Sequence, residues 1–390
     1  MTTNNATESK GFTDKALGLI EKIGNKLPDP AILFLVSLIF IWILSALLSS
    51  VEFVEINPKD GNPIRIQNLL TGVALTSFLA NMVTIFTGFA PLGVVLVAML
   101  GVGVADGSGY IHTGLKMMLT RTPSFLLTPM VIFVGIVSHS AVDAGYVLVI
   151  PLGGIIFYAA GRHPMAGIAA AFAGVSGGFS ANPVPSAIDP LLQGFTQPAA
   201  QIINESVLVN PLSNYYFTSA SSILITLVGW YITDKIVEPR LNRNNPIDQD
   251  AESAPALNHI SDAERKGFWS ATTVVIVFAV FLVLVIVPDN SPFRDASGSL
   301  SSFTAPIMKS IVPLIFLFFI LPGVIHGFVS GKFKNSKDVI DEMSEAMKGM
   351  AYYIVMAFFC SLFIYAFATS NLGALLAIKG AGFLKGLNLG

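Results

Sequence analysis

The sequence has few charged residues and almost no cysteine, and each shortage excludes a class of protein. Only 12% of its 390 residues are charged, whereas soluble domains carry about 25%. The net charge of −2 gives no indication that the chain binds nucleic acid. Cys360 is the single cysteine, which excludes an internal disulfide and a cysteine-based metal site. The sequence also contains no P-loop, which argues against an ATP-driven pump.

Long apolar runs dominate the chain instead. Apolar residues make up 53% of the sequence, and a run of about 20 of them can cross a bilayer as a helix. We therefore predict an all-α polytopic membrane protein. The predicted spans are residues 31–50, 83–105, 213–233, 268–288, 309–330 and 350–369.

The placement of lysine and arginine predicts how the chain is oriented in the membrane. Four lysines precede the first span, so the positive-inside rule puts the N-terminus in the cytoplasm. Residues 1–30 then form a cytoplasmic segment with an amphipathic helix at 11–27, and residues 51–82 form an outer loop. The polar stretch 241–267 is predicted to be a cytoplasmic linker between a first half, 31–240, and a second half, 268–390.

The two halves are predicted to be repeats of opposite orientation. Their spans match in order, with 31–50 corresponding to 309–330 and 83–105 to 350–369. In the segments that follow, 104–116 and 367–379, a polar stretch is in both cases followed by an amphipathic one. Inverted-topology repeats of this kind are typical of secondary transporters. The second repeat stops before its expected hairpin, so we expect either a chain cut short there, which we favour, or a degenerate second repeat.

Two apolar regions are interrupted by polar residues, and hydrocarbon tolerates non-helical backbone only where it is buried or lines a wet cavity. Residues 125–160 start and end on the same predicted face, which favours a re-entrant helical hairpin. Residues 165–200 contain glycines and prolines that interrupt a helix. These interruptions predict an ion-transporter-like fold with a hairpin and a broken helix around a site for a small polar solute.

The hairpin contains SHSAVDAG at 138–145. Ser138 and Ser140 can offer oxygens to a sodium ion or a substrate carboxylate at a helix break. Asp143 at membrane depth is a candidate ion-coupling residue, and His139 can pair with it. The alternative is that these side chains only cap the turn.

The broken helix contains GVSGGFSANPVPSAIDP at 174–190. Gly177 and Gly178 allow a ligand to approach the backbone closely. Ser180 and Asn182 can hydrogen-bond a polar ligand, and a sodium ion near Ser138, Ser140 and Asn182 is the only cofactor expected. Asp189 is either a helix cap or a carboxylate that binds substrate and couples transport to an ion.

Two other functions remain open at this point. Residues 174–177 read G-x-S-G, the nucleophile motif of rhomboid intramembrane proteases, with Ser176 as nucleophile and His139 as the imagined base. In those proteases, however, the histidine follows the serine. A channel would need a continuous polar stripe through several spans, and the sequence shows none.

At these residues the chain resembles the AbgT family of p-aminobenzoyl-glutamate transporters over essentially its whole length. The resemblance implies a dimeric transporter of the bacterial inner membrane that carries p-aminobenzoyl-glutamate or exports sulfonamides, coupled to sodium or protons. It also implies that Asp189 is the acidic residue of the first broken helix, with Ser180 and Asn182 in the first-half motif. The family's second hairpin and second broken helix have no counterpart in these residues. The similar strings are NKLPDPAILFL at 25–35, VSHSAVDAGYVLVIPLGG at 137–154 and AGVSGGFSANPVPSAIDPLL at 173–192.

Overall fold

Helices make up most of the part of the chain that the structure describes. The computed structural model describes residues 28–57, 61–120, 122–141, 146, 149–186, 188–203, 206–244 and 260–387. Within these ranges there is no β-strand, and the only β-type pairing is an isolated bridge between Ile56 and Pro63. The predicted amphipathic helix at 11–27 and most of the predicted linker lie outside the described residues.

The helices, numbered in chain order, are α1 Pro30–Leu48, α2 Gly72–Thr87, α3 Ala90–Gly107, α4 Tyr110–Thr120, α5 Leu127–Val137, α6 Ile150–Ala159, α7 Pro164–Phe172, α8 Ile188–Ile203, α9 Tyr215–Ile232, α10 Glu238–Asn244, α11 Asp262–Ile286, α12 Pro306–Lys309, α13 Ile311–Ser330, α14 Ser336–Gly349, α15 Ala351–Thr369 and α16 Leu372–Gly386. Short π-helical turns follow α7 and α9, and a 3₁₀ turn follows α5.

In the part of the chain that the structure describes, six helical segments are long and apolar enough to cross a membrane, and each overlaps one of the six predicted spans. The predicted all-α polytopic membrane fold is therefore confirmed. Some boundaries differ: the second segment begins at Gly72 rather than near residue 83, the third ends at Asn244 rather than near 233, and the fourth begins at Asp262 rather than near 268. Thr71 caps the helix that begins at Gly72 by accepting a hydrogen bond from the amide of Ala74. The polar residues of its first turns lower the local hydropathy, so hydropathy alone places the start of the span too late.

The described residues fall into two compact units. The first contains α1, α2, α16 and most of α15, and aromatic rings pack along its helices. Trp42 of α1 meets Phe78 of α2 edge-on with ring centres 5.1 Å apart. Phe86 of α2 contacts Phe358 of α15 in the same way at 5.3 Å. These contacts give the unit an aromatic core, and Cys360 of α15 is buried as well.

The second unit contains α3 to α14, and glycines bring its helix backbones together. A Cβ atom added to Gly101 of α3 would lie 2.5 Å from the carbonyl oxygen of Phe316 in α13. One added to Gly323 of α13 would lie 2.8 Å from the Cα of Ala105 in α3. Small residues are the usual means by which membrane helices approach this closely. The α3–α13 contact therefore has no room for a larger side chain at either glycine.

The broken-helix region packs against α5 by the same means. A Cβ atom on Gly135 of α5 would lie 3.0 Å from the Cα of Gly174, in the π turn after α7. Around this contact a cluster of buried apolar side chains joins α5, α6, α7 and the π turn, with Val131, Phe157 and Val175 fully buried. This packing positions the end of α5 beside the break that follows α7.

Candidate functional site

The helix that begins at Pro164 breaks in the second unit before it can complete a span. It turns π-helical over Ala173–Gly177, and the next helix, α8, begins at Ile188. Pro183 and Pro185 fall between the two helices, and neither has an amide hydrogen to continue the ladder. The break leaves backbone groups of this segment without helical partners, which is the condition for a polar site at membrane depth.

Ser180 has an unusual backbone conformation within the break. Its φ is +63°, a left-handed value that is uncommon outside glycine. Strained backbone of this kind persists where the surroundings require it and clusters at ligand sites. Gly177, by contrast, has open space where its Cβ would be, and Gly178 abuts the carbonyl oxygen of Gly174.

Asp189 lies in the first turn of α8. One carboxylate oxygen accepts the amide of Ser186 at 2.7 Å, and the Ser186 hydroxyl lies 3.4 Å from the same oxygen. Asp189 thus reaches back to the start of the helix as in a capping box, which agrees with the capping role that the sequence offered as one of two for this residue. Capping is not the only role open to the carboxylate, because Asp189 also lines a cavity.

The cavity beside α8 brings Ser180 and Asp189 together. Its volume is about 180 Å³, below the range of about 300–1,000 Å³ typical of pockets that enclose a whole small molecule. It therefore suits an ion or one polar end of a larger solute. Its lining is Ser180, Ser186, Ile188, Asp189, Leu192, Gln193, Thr196, Val209, Pro211, Ser213, Asn214 and Thr218.

Several polar lining residues of this cavity were missed by the sequence analysis. Gln193 and Thr196 follow Asp189 at helical spacing, so a helical wheel of α8 would have revealed them. Asn214 and Thr218 come from the start of α9, which only the folded chain brings to this place. Gln193 also donates to the carbonyl oxygen of Val209 at 3.2 Å, which fixes the segment before α9 against α8.

The other predicted site residues lie outside the lining of this cavity. Asn182 is buried, and its amide oxygen accepts the backbone N–H of Val184 at 3.1 Å. Ser138 is buried at the end of α5, where its hydroxyl donates to the carbonyl oxygen of Gly135 at 2.6 Å. Ser140 belongs to the 3₁₀ turn that follows, and Asp143 lies outside the described residues.

His139 connects the end of α5 to the broken helix. Its ring is 2% exposed and meets the ring of Phe179 edge-on, with centres 5.0 Å apart. Nε2 of His139 is buried without a hydrogen-bond partner among the described residues. Phe179 directly precedes Ser180, so this contact positions the strained residue of the cavity.

A charged cluster around Arg162 fixes the turn between α6 and α7, and the sequence analysis did not single out Arg162. Its guanidinium donates to Thr128 at 2.8 Å, to Asp234 at 2.6 Å and to Glu238 at 2.5 Å. Asp234 also accepts from the indole N–H of Trp230 at 2.8 Å. The cluster ties this turn to α5, α9 and α10 by charge-assisted hydrogen bonds.

Comparison with known proteins identifies relatives over almost the whole chain. The sequence pattern of the AbgT putative transporter family matches residues 15–390. The p-aminobenzoyl-glutamate transport protein of Escherichia coli (strain K12) is 36% identical over 381 residues, which are 98% of this chain and 74% of that protein.

Two solved structures are similar to this fold. MtrF of Neisseria gonorrhoeae, one of a class of antimetabolite efflux pumps, superposes with a TM-score of 0.88 at 40% identity, covering 96% of this chain and 76% of its own. The YdaH transporter of Alcanivorax borkumensis, which has an unusual topology, gives a TM-score of 0.84 at 38% identity, covering 92% of this chain and 74% of its own. The chain thus spans about three quarters of each relative.

Proposed function

Because the chain belongs to the AbgT putative transporter family, we propose that it is a secondary transporter of small aromatic carboxylates such as p-aminobenzoyl-glutamate, or an exporter of sulfonamide-type antimetabolites. It acts as a multi-pass protein of the bacterial inner membrane with a cytoplasmic N-terminus. An ion gradient, of protons or of sodium, drives the transport.

The observation that carries this proposal is the cavity at the helix break, with Asp189 and Ser180 in its wall. A carboxylate within a membrane protein is costly and marks a substrate or ion pathway by default. In our proposal Asp189 couples transport to the ion and contacts the substrate, while Ser180 and Asn182 provide hydrogen bonds. Gly177 and Gly178 allow the substrate to approach the backbone.

The α5–α6 region acts as the re-entrant hairpin in this mechanism. α5 has 11 residues and α6 has 10, so each is only about 15–17 Å long at 1.5 Å per residue. The hydrocarbon core is about 30 Å thick, so neither helix spans it. Ser138, Ser140 and Asp143, toward the end of α5, are proposed to hold the coupling ion, and the Arg162 cluster anchors the other end of α6.

The intramembrane protease has less support than the transporter. The Ser176 hydroxyl lies 3.1 Å from the hydroxyl of Tyr146, whereas the ring of His139 packs against Phe179. A serine protease needs the histidine within hydrogen-bond reach of the nucleophile. A homodimer is a further part of the proposal and rests on the family resemblance.

Transport by the purified chain in liposomes tests the proposal, with labelled p-aminobenzoyl-glutamate and a labelled sulfonamide as substrates. The sodium and proton gradients are imposed separately. Gradient-driven movement of one substrate supports the proposal. Failure of both substrates to move under either gradient would sink it for this chain.

Substitution of Asp189 separates its two possible roles. Asp189→Asn keeps an oxygen that can accept the Ser186 amide but removes the charge, so we expect transport at background level with normal folding. Asp189→Glu should be nearly as damaging if geometry sets the site. The matched control is Asp289→Asn, which neutralises a fully exposed carboxylate. Normal transport by Asp189→Asn would show that Asp189 only caps the helix.

A further inference from the structure

The cavity at Asp189 has a negative charge in its wall and no positive one. Among its described lining residues there is no lysine, arginine or histidine, and Asp189 provides the one charged side chain. No salt bridge joins Asp189 to another residue in the described part of the chain. Like charges repel strongly where water is scarce. The cavity therefore disfavours an anionic group and favours a group that donates hydrogen bonds.

Two side-chain oxygens of α8 are available to accept such bonds. Both hydrogen bonds from Ser186 to Asp189 fall on Oδ2, and Oδ1 receives none from another residue that the structure describes. Gln193 donates through Nε2 to the carbonyl oxygen of Val209 at 3.2 Å, so its Oε1 can only accept. This oxygen also has no partner among the described residues. Asp189 and Gln193 are four residues apart, which places them on the same face of the helix.

The two proposed classes of substrate differ in charge at one end and are alike at the other. p-Aminobenzoyl-glutamate carries two carboxylates on its glutamate, whereas a sulfonamide has no carboxylate. Both carry an amine on a benzene ring, which is uncharged at neutral pH and offers two N–H donors. Ile188 and Leu192 line the same cavity and provide apolar surface for a ring. The shared arylamine end thus matches this cavity, and the glutamate end does not.

We propose, on the basis of the transport function proposed above, that this cavity receives the arylamine end of the substrate. One N–H donates to Oδ1 of Asp189 and the other to Oε1 of Gln193. A volume of about 180 Å³ leaves the glutamate or sulfonyl end outside the cavity. Asp189 and Gln193 then determine specificity, because a site built to accept from a donor rejects the analogue that lacks it.

The test compares how two uncharged probes bind to the detergent-purified chain. 4-Amino-N,N-dimethylbenzamide carries the amine, and N,N-dimethylbenzamide is the same molecule without it, so only the first has N–H donors. Each is titrated while the thermal unfolding midpoint is measured, because a ligand of the native state stabilises by mass action. We expect the amine to increase affinity about tenfold or more, as one hydrogen bond to a charged group supplies.

The ratio of the two affinities is the measured quantity, because a general loss of packing weakens both probes together. Asp189→Asn should bring the ratio close to one, since an amide that accepts from Ser186 through its oxygen turns its own N–H groups toward the amine. Gln193→Met keeps the length of the side chain, removes the acceptor and should lower the ratio.

The matched control is Gln197→Met, one turn further along α8. Gln197 also holds the segment before α9, by donating to the carbonyl oxygen of Val207 at 2.7 Å and accepting the amide of Val209 at 2.7 Å. It does not line the cavity, so its variant should keep the ratio of the unmodified chain. An equal fall in the ratio for Gln193→Met and Gln197→Met would assign the effect to the segment rather than to the acceptor, and would overturn the proposal.

Three other results would also overturn it: no stabilisation by the amine probe, equal affinity for both probes, or a ratio that Asp189→Asn leaves unchanged. If Asp189→Asn does not fold, the comparison of Gln193→Met with Gln197→Met decides. Transport separates this proposal from the proposed function. Equal transport of benzoyl-glutamate and p-aminobenzoyl-glutamate would keep the transporter and overturn the arylamine site. A chain that transports neither but retains the probe ratio would keep the site and lose the transporter.

Discussion

Two turns in different units of the molecule have the same backbone conformation, but different groups donate hydrogen bonds to them. The first joins α3 to α4 at Ser108, and the second joins α15 to α16 at Ser370. Each serine is buried, donates to a carbonyl oxygen three residues earlier, and accepts an amide two residues later. The next residue is left-handed in both, Gly109 with φ +87° and Asn371 with φ +63°.

The carbonyl oxygens of the two serines accept hydrogen bonds from different groups. The oxygen of Ser108 receives Nδ1 of His326 at 3.0 Å, whereas the oxygen of Ser370 receives the backbone amide of Gln67 at 3.1 Å. Asn371 adds a bond from its side chain to the carbonyl oxygen of Arg65 at 2.9 Å. One turn is therefore held by an ionisable side chain, and the other by a loop backbone. The shared geometry supports a repeated origin of the two turns.

The largest expected effect comes from removing His326. His326→Ala leaves a buried cavity and an unpaired carbonyl at Ser108, which should lower the free energy of unfolding by about 3–5 kcal/mol. Gln67→Ala is the counterpart at the second turn, and it keeps the backbone amide that supports Ser370. Its effect should be below about 0.5 kcal/mol. Equilibrium unfolding in detergent measures both, and equal losses would contradict the difference in support.

Asn371→Val should have the next largest effect. A β-branched residue in the left-handed region costs about 1–2 kcal/mol, and loss of the bond to Arg65 adds about 0.5–1.5 kcal/mol. Asn371→Gly removes only the bond, so it should recover most of the stability. The same unfolding experiment compares the two variants. A glycine variant as unstable as the valine variant would show that backbone conformation is not what limits this position.

Exchange of the left-handed residue tests the first turn. Gly109→Val should cost about 1–2 kcal/mol from its backbone conformation, because an added Cβ would meet only Cε1 of His326 at an ordinary 3.7 Å. Gly109→Asn copies the residue of the second turn and tolerates this conformation, so it should cost less. Thermal unfolding in detergent is sufficient to rank the variants. A valine variant more stable than the asparagine variant would break the proposed equivalence of the turns.

The smallest expected effect on stability comes from the ion pair between Glu55 and Lys379. This pair lies beside the second turn. Its Nζ and Oε1 atoms are 2.5 Å apart, and the hydrogen bond from Lys379 holds the pKa of Glu55 below its ordinary value. Its contribution is therefore present above the unfolded pKa and is lost as the pH falls through the lower folded value. Lys379→Gln should return the Glu55 pKa toward its ordinary value, measured by NMR titration, with little change in stability at neutral pH. An unchanged pKa would mean that Lys379 does not control it.

The sequence predicted those features that depend on apolar length and on local backbone chemistry. The six spans follow from hydropathy, and the break after α7 follows from its glycines and prolines. The similar segments 104–116 and 367–379 contain the two turns, at Ser108 and Ser370. Aligned end to end, those segments would pair Ser108 with Asn371, whereas the geometry pairs Ser108 with Ser370, one residue away.

Features that depend on tertiary contacts were not predictable in the same way. The start of α2 at Gly72 was missed because its polar residues lower the hydropathy of the first turns. Asn214 and Thr218 reach the cavity of Asp189 only through the packing of α8 and the following segment. The partners of Arg162, Asp234 and Glu238, are more than 70 residues away from it in sequence. No local pattern indicates contacts of this range.

The glycine contact between α3 and α13 has a consequence for motion. At Gly101 and Gly323 each backbone lies directly against the other helix, so no intervening side chain can change rotamer to let one helix slide past the other. Packed surfaces of this kind rearrange between discrete arrangements rather than by gradual deformation. A transport cycle would therefore carry α3 and α13 as one rigid body, and the hinge would have to lie elsewhere in the chain.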